Sequence, residues 1–260
     1  MKRASLTVRL QLCLVLLILS FSSSTFSADT PIIAAAASTK FALEEIVKAF
    51  HQDSGKNIRV SYASSGNLTR QIQRGAPFEL FLSANSRYVE LLAQQKKTAN
   101  TAITYALGHL VLITNRQTKI ALDTELKGIS QLLQKNSLNR FSIANPAHAP
   151  YGIAAQEALK NLKLWEQIRP HLVLGENAAQ AAQFSSSGAA QAGLVSYSLA
   201  LAPALKNSSR FVVIPANLHR PIEQSMVLLN NAGDTAKLFF KYLQGEKAGK
   251  ILSRYGYTKP

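Results

Sequence analysis

Cysteine, acidic residues and clustered basic residues are all scarce in this chain of 260 residues. Its one cysteine, Cys13, lies in an apolar run near the N-terminus, so the rest of the chain has no disulfide, no thiol nucleophile and no cysteine ligand for a metal. Asp and Glu number 14 against 29 Lys and Arg, and the resulting net charge of +15 attracts anions at long range. The basic residues are scattered, however, and we expect no nucleic-acid partner because no Lys/Arg-rich block is interleaved with aromatic residues.

The sequence also lacks the motifs of common enzyme and cofactor sites. It contains no Gly-x-Ser-x-Gly elbow, no P-loop and no Gly-x-Gly-x-x-Gly turn. The five histidines, which have no zinc-like spacing, are His51, His109, His148, His171 and His219. We therefore expect a protein that is not an enzyme and has no catalytic residue or cofactor. The alternative is an exported hydrolase with Ser65 or Ser38 as nucleophile, but the sequence indicates no base for either.

The longest apolar run, residues 10–21, is too short to span a bilayer comfortably. Three basic residues, Lys2, Arg3 and Arg9, precede this run, and mostly small and polar residues follow it up to Ala28. This pattern predicts a secretory signal peptide over residues 1–28, the alternative being an uncleaved anchor. Removal of the leader takes away three positive charges and leaves about +12.

Strand-like and helix-like patterns alternate along the rest of the chain. A buried strand is predicted at 31–36, for example, followed by apolar residues at helical spacing from Phe41 to Phe50. Residues 106–114 are predicted to form one long strand with a glycine inside it. This alternation predicts an α/β fold with mostly parallel sheets flanked by helices. Composition marks no boundary between domains.

Four stretches place small hydroxyl, amide or backbone donors where a strand ends and a helix begins. They are Ala-Ala-Ala-Ser at 35–38, Ala-Ser-Ser-Gly-Asn at 63–67, Asn-Pro-Ala-His-Ala-Pro-Tyr-Gly at 145–152 and Gly-Glu-Asn-Ala at 175–178. Helix starts carry unpaired N–H groups and a partial positive charge, so several of them aimed at one point form an anion site without Lys or Arg. For Ser38 and Ser65 taken singly, ordinary helix capping is the alternative.

Such a site suits a small, fully ionised, tetrahedral oxyanion. The oxygens of that ion only accept hydrogen bonds, and a protonated competitor would find no acceptor for its proton. Neutral dipoles also avoid the uncertain balance of a buried ion pair. In this interpretation Gly66 and Gly152 let the backbone approach the ligand closely.

The sequence as a whole resembles the periplasmic molybdate-binding proteins of ABC importers. The resemblance is carried, in addition to the four donor-rich stretches, by Gln-Ile-Gln-Arg-Gly-Ala-Pro-Phe at 71–78, Leu-Ser-Ala at 82–84, Tyr-Ala-Leu-Gly-His-Leu-Val-Leu at 105–112, Gly-Glu-Asn-Ala-Ala-Gln-Ala at 175–181 and the ending from Tyr242 to Tyr257. It implies a two-lobed periplasmic-binding-protein fold with the ligand cleft between the lobes. Lobe I would comprise residues 29–107 and 216–260, and lobe II residues 108–215, with crossings near Gly108 and Pro215.

The resemblance also implies the ligand contacts. Ser38 and Ser65 would bind the oxyanion from lobe I, and Tyr151 and Ala178 from lobe II, with no metal bound other than as the oxyanion. Many family members have a tyrosine directly after Gly-x-Val, where this chain has Ser196 followed by Tyr197. The fifth contact is therefore Ser196, Tyr197 or the Tyr151 hydroxyl, and the preference between molybdate and tungstate stays open with it.

The function implied is that of an extracytoplasmic protein that captures molybdate or tungstate and delivers it to a membrane ABC permease. The resemblance further implies a periplasmic monomer that closes around its ligand by a hinge motion. The alternative within the same fold is another small anion, such as sulfate, phosphate or an organic acid, because a fold does not fix its ligand.

Overall fold

The computed structural model describes residues 30–260, whose strands lie in two sheets of five. The predicted signal peptide, residues 1–28, lies outside the described residues. The strands are β1 Ile32–Ala36, β2 Arg59–Ala63, β3 Leu80–Ser83, β4 Ile103–Gly108, β5 Leu110–Asn115, β6 Phe141–Ala144, β7 Leu172–Gly175, β8 Ala192–Ser196, β9 Ser209–Val213 and β10 Ile222–Leu228. The first sheet has the order β2-β1-β3-β10-β4 and the second the order β7-β6-β8-β5-β9.

Four of the five strands in each sheet run in the same direction. In the first sheet β1 pairs in parallel with β2 and β3, and only β10 runs against its neighbours β3 and β4. In the second sheet β6 pairs in parallel with β7 and β8, and only β5 is reversed, against β8 and β9. The predicted α/β fold with mostly parallel sheets is confirmed.

Helices connect most of the strands. They are α1 Lys40–Ser54, α2 Ser65–Gln73, α3 Ser86–Gln94, α4 Lys127–Gln134, α5 Pro150–Asn161, α6 Trp165–Ile168, α7 Ala178–Ser186, α8 Tyr197–Ala200, α9 Pro203–Lys206, α10 Asp234–Tyr242 and α11 Glu246–Arg254. A 3-10 turn, Ala37–Thr39, lies between β1 and α1. Between residues 30 and 260 no helix is long and apolar enough to cross a membrane.

The chain passes between the two sheets twice. The first passage separates β4 from β5 at His109, so the prediction of a single strand over residues 106–114 is wrong. β5 is largely buried and β4 mostly half-buried, and an apolar pattern cannot show that the chain leaves one sheet for another. The second passage lies between β9 and β10. We call the part of the molecule built on the first sheet the first lobe, and the other part the second lobe.

Helices cover both faces of the first sheet, and β1 shows why. Ile33 and Ala35 pack in one cluster with Phe50 of α1 and Phe239 of α10, whereas Ala34 packs in another cluster with residues of α2 and α3. Successive residues of a strand point to opposite faces, so an uninterrupted apolar strand needs cover on both. The second sheet has its own core, which includes residues of α5 and α7. These rigid layers fix the loops that follow β1, β2, β6 and β7.

Candidate functional site

A small cavity lies between the lobes, where the four donor-rich stretches meet. Its empty volume, which includes space open to solvent, is about 190 Å³. The residues that line it are Ala36, Ala37, Ser38, Ala63, Ser64, Ser65, Ala84, Ala149, Pro150, Tyr151 and Ala178. None of these lining residues is charged. The structure therefore brings Ser38, Ser65, Tyr151 and Ala178 together around one space, and it offers a ligand there only neutral groups.

The first lobe contributes two buried serines. Ser38 lies in the 3-10 turn, and its Oγ is buried without a hydrogen-bond partner among the described residues. Ser65 is the first residue of α2, and its Oγ accepts a hydrogen bond from the Ala84 N–H at 3.0 Å. Neither hydroxyl caps a helix, so the capping alternative is wrong for both. The Ser38 hydroxyl is therefore available to a ligand in the cavity.

The second lobe contributes two helix starts. Tyr151 is the second residue of α5, after Pro150, and its hydroxyl is likewise buried without a partner in the part of the chain that the structure describes. Ala178 is the first residue of α7. The Asn177 side chain accepts from the N–H groups of Ala179 and Gln180, at 3.0 and 3.1 Å. The N–H group of Ala178 is left without an acceptor in its own helix. The N–H groups of Tyr151 and Ala178 both lie in the first turn of a helix, where backbone donors commonly bind anions.

Buried tyrosines keep their hydroxyl protons at the site. Burial raises the pKa of Tyr151 well above its ordinary value, and the nearby Tyr257 adds to that effect. Burial also raises the pKa of Tyr257, to about 12. At neutral pH both phenols are therefore neutral hydrogen-bond donors, which fits a site for an anion.

Ser196 lies behind the cavity rather than on its lining. It is fully buried, and its Oγ lies 2.6 Å from the Oγ of Ser198. Ser198 donates to the Ser38 carbonyl at 2.6 Å, and the Tyr257 hydroxyl donates to the same carbonyl at 3.1 Å. We call these bonded groups, Ser196, Ser198, Tyr257 and the Ser38 carbonyl, the inner network, and we include Tyr151 because its phenol lies beside Ser196 and Tyr257. It joins the two lobes through neutral groups alone.

Tyr197, the other candidate for a fifth contact, packs elsewhere. Its ring lies edge-on to that of Phe211, with 5.5 Å between ring centroids, and its N–H donates to the His109 carbonyl at 2.9 Å. It does not line the cavity. Of the three candidates for the fifth contact, Tyr151 is thus the one that lines the cavity.

A second set of contacts joins the lobes at the mouth of the cavity. Ser64 Oγ and His148 Nδ1 share a hydrogen bond of 2.8 Å, and the Gly66 N–H donates to the His148 carbonyl at 2.9 Å. The Asn67 amide donates to the Glu176 carboxylate, which also lies 3.7 Å from His148 Nε2. Sequence reasoning did not single out these pairs, because it treated each histidine as an isolated residue.

One sequence-based expectation about the site, the close approach of Gly66 and Gly152 to the ligand, is wrong. The close approaches of Gly66 and Gly152 are to protein, since added Cβ atoms would lie 2.8 Å from the His148 carbonyl oxygen and 2.1 Å from that of Ala144. Neither glycine lines the cavity. A histidine does lie beside the site, but it is bonded to Ser64, not to Ser38 or Ser65. Within residues 30–260, no group of three or more His, Cys, Asp or Glu side chains is placed to hold a metal ion.

Comparison with known proteins gives the chain its family. The family model described as bacterial extracellular solute-binding protein matches residues 32–258. The molybdate-binding protein ModA of Azotobacter vinelandii is 35% identical over 86% of this chain and 88% of its own length. ModA of Escherichia coli strain K12 is 32% identical over 86% of this chain and 87% of its own length.

Solved structures agree with these matches. The periplasmic molybdate-binding protein of Azotobacter vinelandii has a TM-score of 0.80 at 29% identity, and the match covers 88% of this chain and 99% of that one. The sulfate-binding protein SubI of Mycobacterium tuberculosis H37Rv has a TM-score of 0.71 at 15% identity, and the match covers 88% of this chain and 86% of that one. At this identity the likeness shows a shared fold alone. The predicted resemblance, the two-lobed fold and the expectation of a binding protein rather than an enzyme are confirmed. This chain belongs to the family of bacterial extracellular solute-binding proteins.

Proposed function

We propose that this protein captures molybdate in the periplasm and delivers it to a membrane ABC permease. The observation that carries this proposal is the cavity itself: helix and turn starts from both lobes line one small space with hydroxyl and N–H donors and without a charged side chain. The relatives that share the family over most of their length are molybdate-binding proteins. Tungstate, an ion of the same shape and charge, is the second ligand of the same site.

The donor set selects the ion by its protonation state and its size. A fully ionised tetrahedral oxyanion accepts a hydrogen bond from every donor, whereas a protonated phosphate would bury an unpaired O–H at a cost of about 1–3 kcal/mol. Sulfate carries the same charge and shape, so its rejection rests on the dimensions of the closed cavity. We infer that closure of the lobes sets those dimensions, in a hinge motion at the two passages between the sheets.

We assign the contacts as follows. Ser38 and Ser65 bind the oxyanion from the first lobe, through hydroxyl and N–H groups. Tyr151 and Ala178 bind it from the second lobe through their N–H groups, and the unpaired Tyr151 hydroxyl supplies the fifth contact. Ser196 supports the site through Ser198 and the Ser38 carbonyl.

The remaining parts of the proposal concern the molecule as a whole. Lobe I comprises residues 29–107 and 216–260, and lobe II residues 108–215. The protein acts as a monomer after removal of the signal peptide, and its partners are the oxyanion and the permease, with no nucleic acid.

Calorimetric titration tests the proposal. Mature protein is titrated with molybdate, tungstate, sulfate and phosphate. We expect Kd values below micromolar for the first two, a binding free energy of about −8 kcal/mol or better, and much weaker heats for the others. Ser38→Ala should weaken molybdate binding, whereas Ser208→Ala, which removes an exposed hydroxyl bonded within its own lobe, should not. Flat titrations with molybdate and tungstate would overturn the proposal, and tight binding of sulfate or phosphate would transfer the site to that anion.

A further inference from the structure

Three loops that line the cavity each carry a second residue that bridges the lobes. The start of α2 supplies Ser65 to the cavity, and its neighbours Ser64, Gly66 and Asn67 contact the second lobe. The start of α5 supplies Tyr151 to the cavity, and the loop before it supplies His148 to the bridge. The start of α7 supplies Ala178 to the cavity, and the loop before it supplies Glu176 to the bridge. We call Ser64, Gly66, Asn67, His148 and Glu176 the clasp.

Ser64 shows that the clasp is more than incidental contact. It occupies the N-cap position of α2, where a serine hydroxyl ordinarily accepts from the helix N–H groups. Its side chain makes no such bond and instead joins His148 across the cleft at 2.8 Å. The helix start therefore forgoes a stabilising cap, and the hydroxyl serves the contact between lobes.

Gly66 allows the lobes to approach this closely. Its N–H donates to the His148 carbonyl, and an added Cβ would lie 2.8 Å from that oxygen and 2.9 Å from the His148 Cβ. Any larger residue at position 66 would push against the opposite lobe. The obstacle lies across the cleft, so the fit of α2 within its own lobe is not involved.

We propose that the clasp holds the closed form and that Ser64, Gly66 and His148 are positioning residues that set the rate at which the bound anion leaves. This inference rests on the proposed function, because the lobes enclose the anion at the cavity. Of the clasp residues only Ser64 lines the cavity, and its hydroxyl is bonded to His148. Loss of the clasp therefore acts on opening of the closed complex rather than on the encounter of anion and open cleft.

Three variants test the clasp by stopped-flow binding of molybdate to the mature protein. His148→Ala removes the imidazole that bonds Ser64, and Gly66→Ala inserts a methyl group between the lobes. His51→Ala is the matched control, since the His51 side chain is exposed and bonds only within the first lobe. We expect koff to rise about tenfold in the first two and kon to stay within about twofold, with no change in the control.

Gly66→Ala separates the clasp from a general loss of stability. Alanine favours a helix over glycine, so the free energy of unfolding without anion should be unchanged or higher while koff rises. If Gly66 served only the fold of its own lobe, the substitution would lower the free energy of unfolding and leave koff unchanged. Unchanged koff in both Gly66→Ala and His148→Ala, with wild-type protein binding molybdate, would overturn the clasp.

Spin labels at exposed Glu90 and Gln167, one on each lobe, keep the test independent of the ligand assignment. The distance between them should be longer in Gly66→Ala than in wild type, measured with and without molybdate. If wild type binds none of the four anions, the proposed function fails, and the clasp is then judged by this distance alone. Identical distance distributions in wild type and Gly66→Ala would overturn it.

Discussion

The inner network and the clasp both join the lobes around the cavity, but they are built from different chemistry. The inner network is buried, consists of hydroxyl groups and a carbonyl, and adjoins the first passage between the sheets, where Tyr151 packs against Gly108. The clasp starts at buried Ser64 and His148 and ends at half-buried Asn67 and exposed Glu176.

This difference indicates that the two sides of the cavity affect different properties of the protein. Buried hydroxyl groups lose much when a partner is removed, because no water replaces it, so the inner network should govern stability as well as binding. Groups at the surface exchange their partners for water at little cost. The clasp should therefore govern how readily the mouth opens and contribute less to the stability of the fold.

Alkaline pH should produce the largest effect. The inner side accounts for part of it, together with tyrosines elsewhere such as Tyr62 and Tyr242, whose pKa values burial also raises. The pKa of Tyr257 is raised by burial to about 12, and burial raises those of Tyr151 and Tyr105 well above their ordinary value. An unfolded tyrosine has a pKa of about 10. The stabilisation is complete below that pH and is lost as pH rises towards 12, since the unfolded chain then releases protons that the folded one retains.

We expect the free energy of unfolding to fall by several kcal/mol across this range, measured by denaturant titration at a series of pH values. Tyrosinate absorbance at each pH reports how many phenols stay protonated in the folded protein. A free energy that stays level from about pH 10 to 12 would contradict a buried, neutral inner network.

Gly108→Ala should disturb the inner side next. An added Cβ would lie 2.1 Å from the Tyr151 hydroxyl and 3.0 Å from the Gln224 amide nitrogen, so the phenol must leave its place beside the cavity. We expect a stability loss of about 1–3 kcal/mol and a decrease in molybdate affinity of about tenfold to a hundredfold, by calorimetry. Gly249→Ala in α11, whose Cβ would meet nothing within 4 Å, is the control. Equal affinities in the two variants would contradict the role given to Tyr151.

Tyr257→Phe should have a smaller effect. It removes the hydroxyl that lies 3.1 Å from both the Ser38 carbonyl oxygen and Ser198 Oγ, which share its one proton. We expect unfolding to become easier by about 1–2 kcal/mol. Tyr242→Phe loses a single hydroxyl contact, to the partly exposed carboxylate of Asp53, and should change stability by less than about 0.5 kcal/mol. Equal stabilities of Tyr257→Phe and Tyr242→Phe would show that the inner network does not stabilise the fold.

Glu176→Gln at the mouth should have the smallest effect. The carboxylate is exposed, accepts from Asn67 and lies 3.7 Å from His148 Nε2. Exposed pairs contribute about 0–1 kcal/mol, so molybdate affinity should fall by less than about fivefold and stability should barely change. Glu166→Gln, which breaks an exposed pair with Arg169 inside the second lobe, is the control. A loss as large as that of Gly108→Ala would invert the comparison between the two sides.

Local rules allowed the four donor-rich stretches to be predicted from the sequence, and the resemblance to a known family selected four residues within them. Ser38, Ser65, Tyr151 and Ala178 stand where a strand ends and a helix or turn begins, and such positions gather at one edge of a parallel sheet. The contacts between lobes follow no local rule. Ser64 and His148 are far apart along the chain, and only the packed lobes bring them together.

Other errors have equally definite causes. Helix α4 was not predicted, because its N-cap residue is Leu126, which offers no side-chain cap. The Asp123 carboxylate instead accepts from the N–H groups of Lys127 and Gly128 from three residues before the N-cap, which is not the usual capping position. Tyr257 was part of the recognised C-terminal motif, but its contact with the Ser38 carbonyl depends on how the chain end folds back beside β4.

The most direct test of the central claim is the position of molybdenum in a crystal grown with molybdate. Anomalous scattering should show one peak inside the cavity, with its oxygens within hydrogen-bond distance of Ser38 Oγ and the Ala178 N–H. A peak held instead by lysine or arginine side chains at the surface, with none between the lobes, would contradict capture by neutral donors.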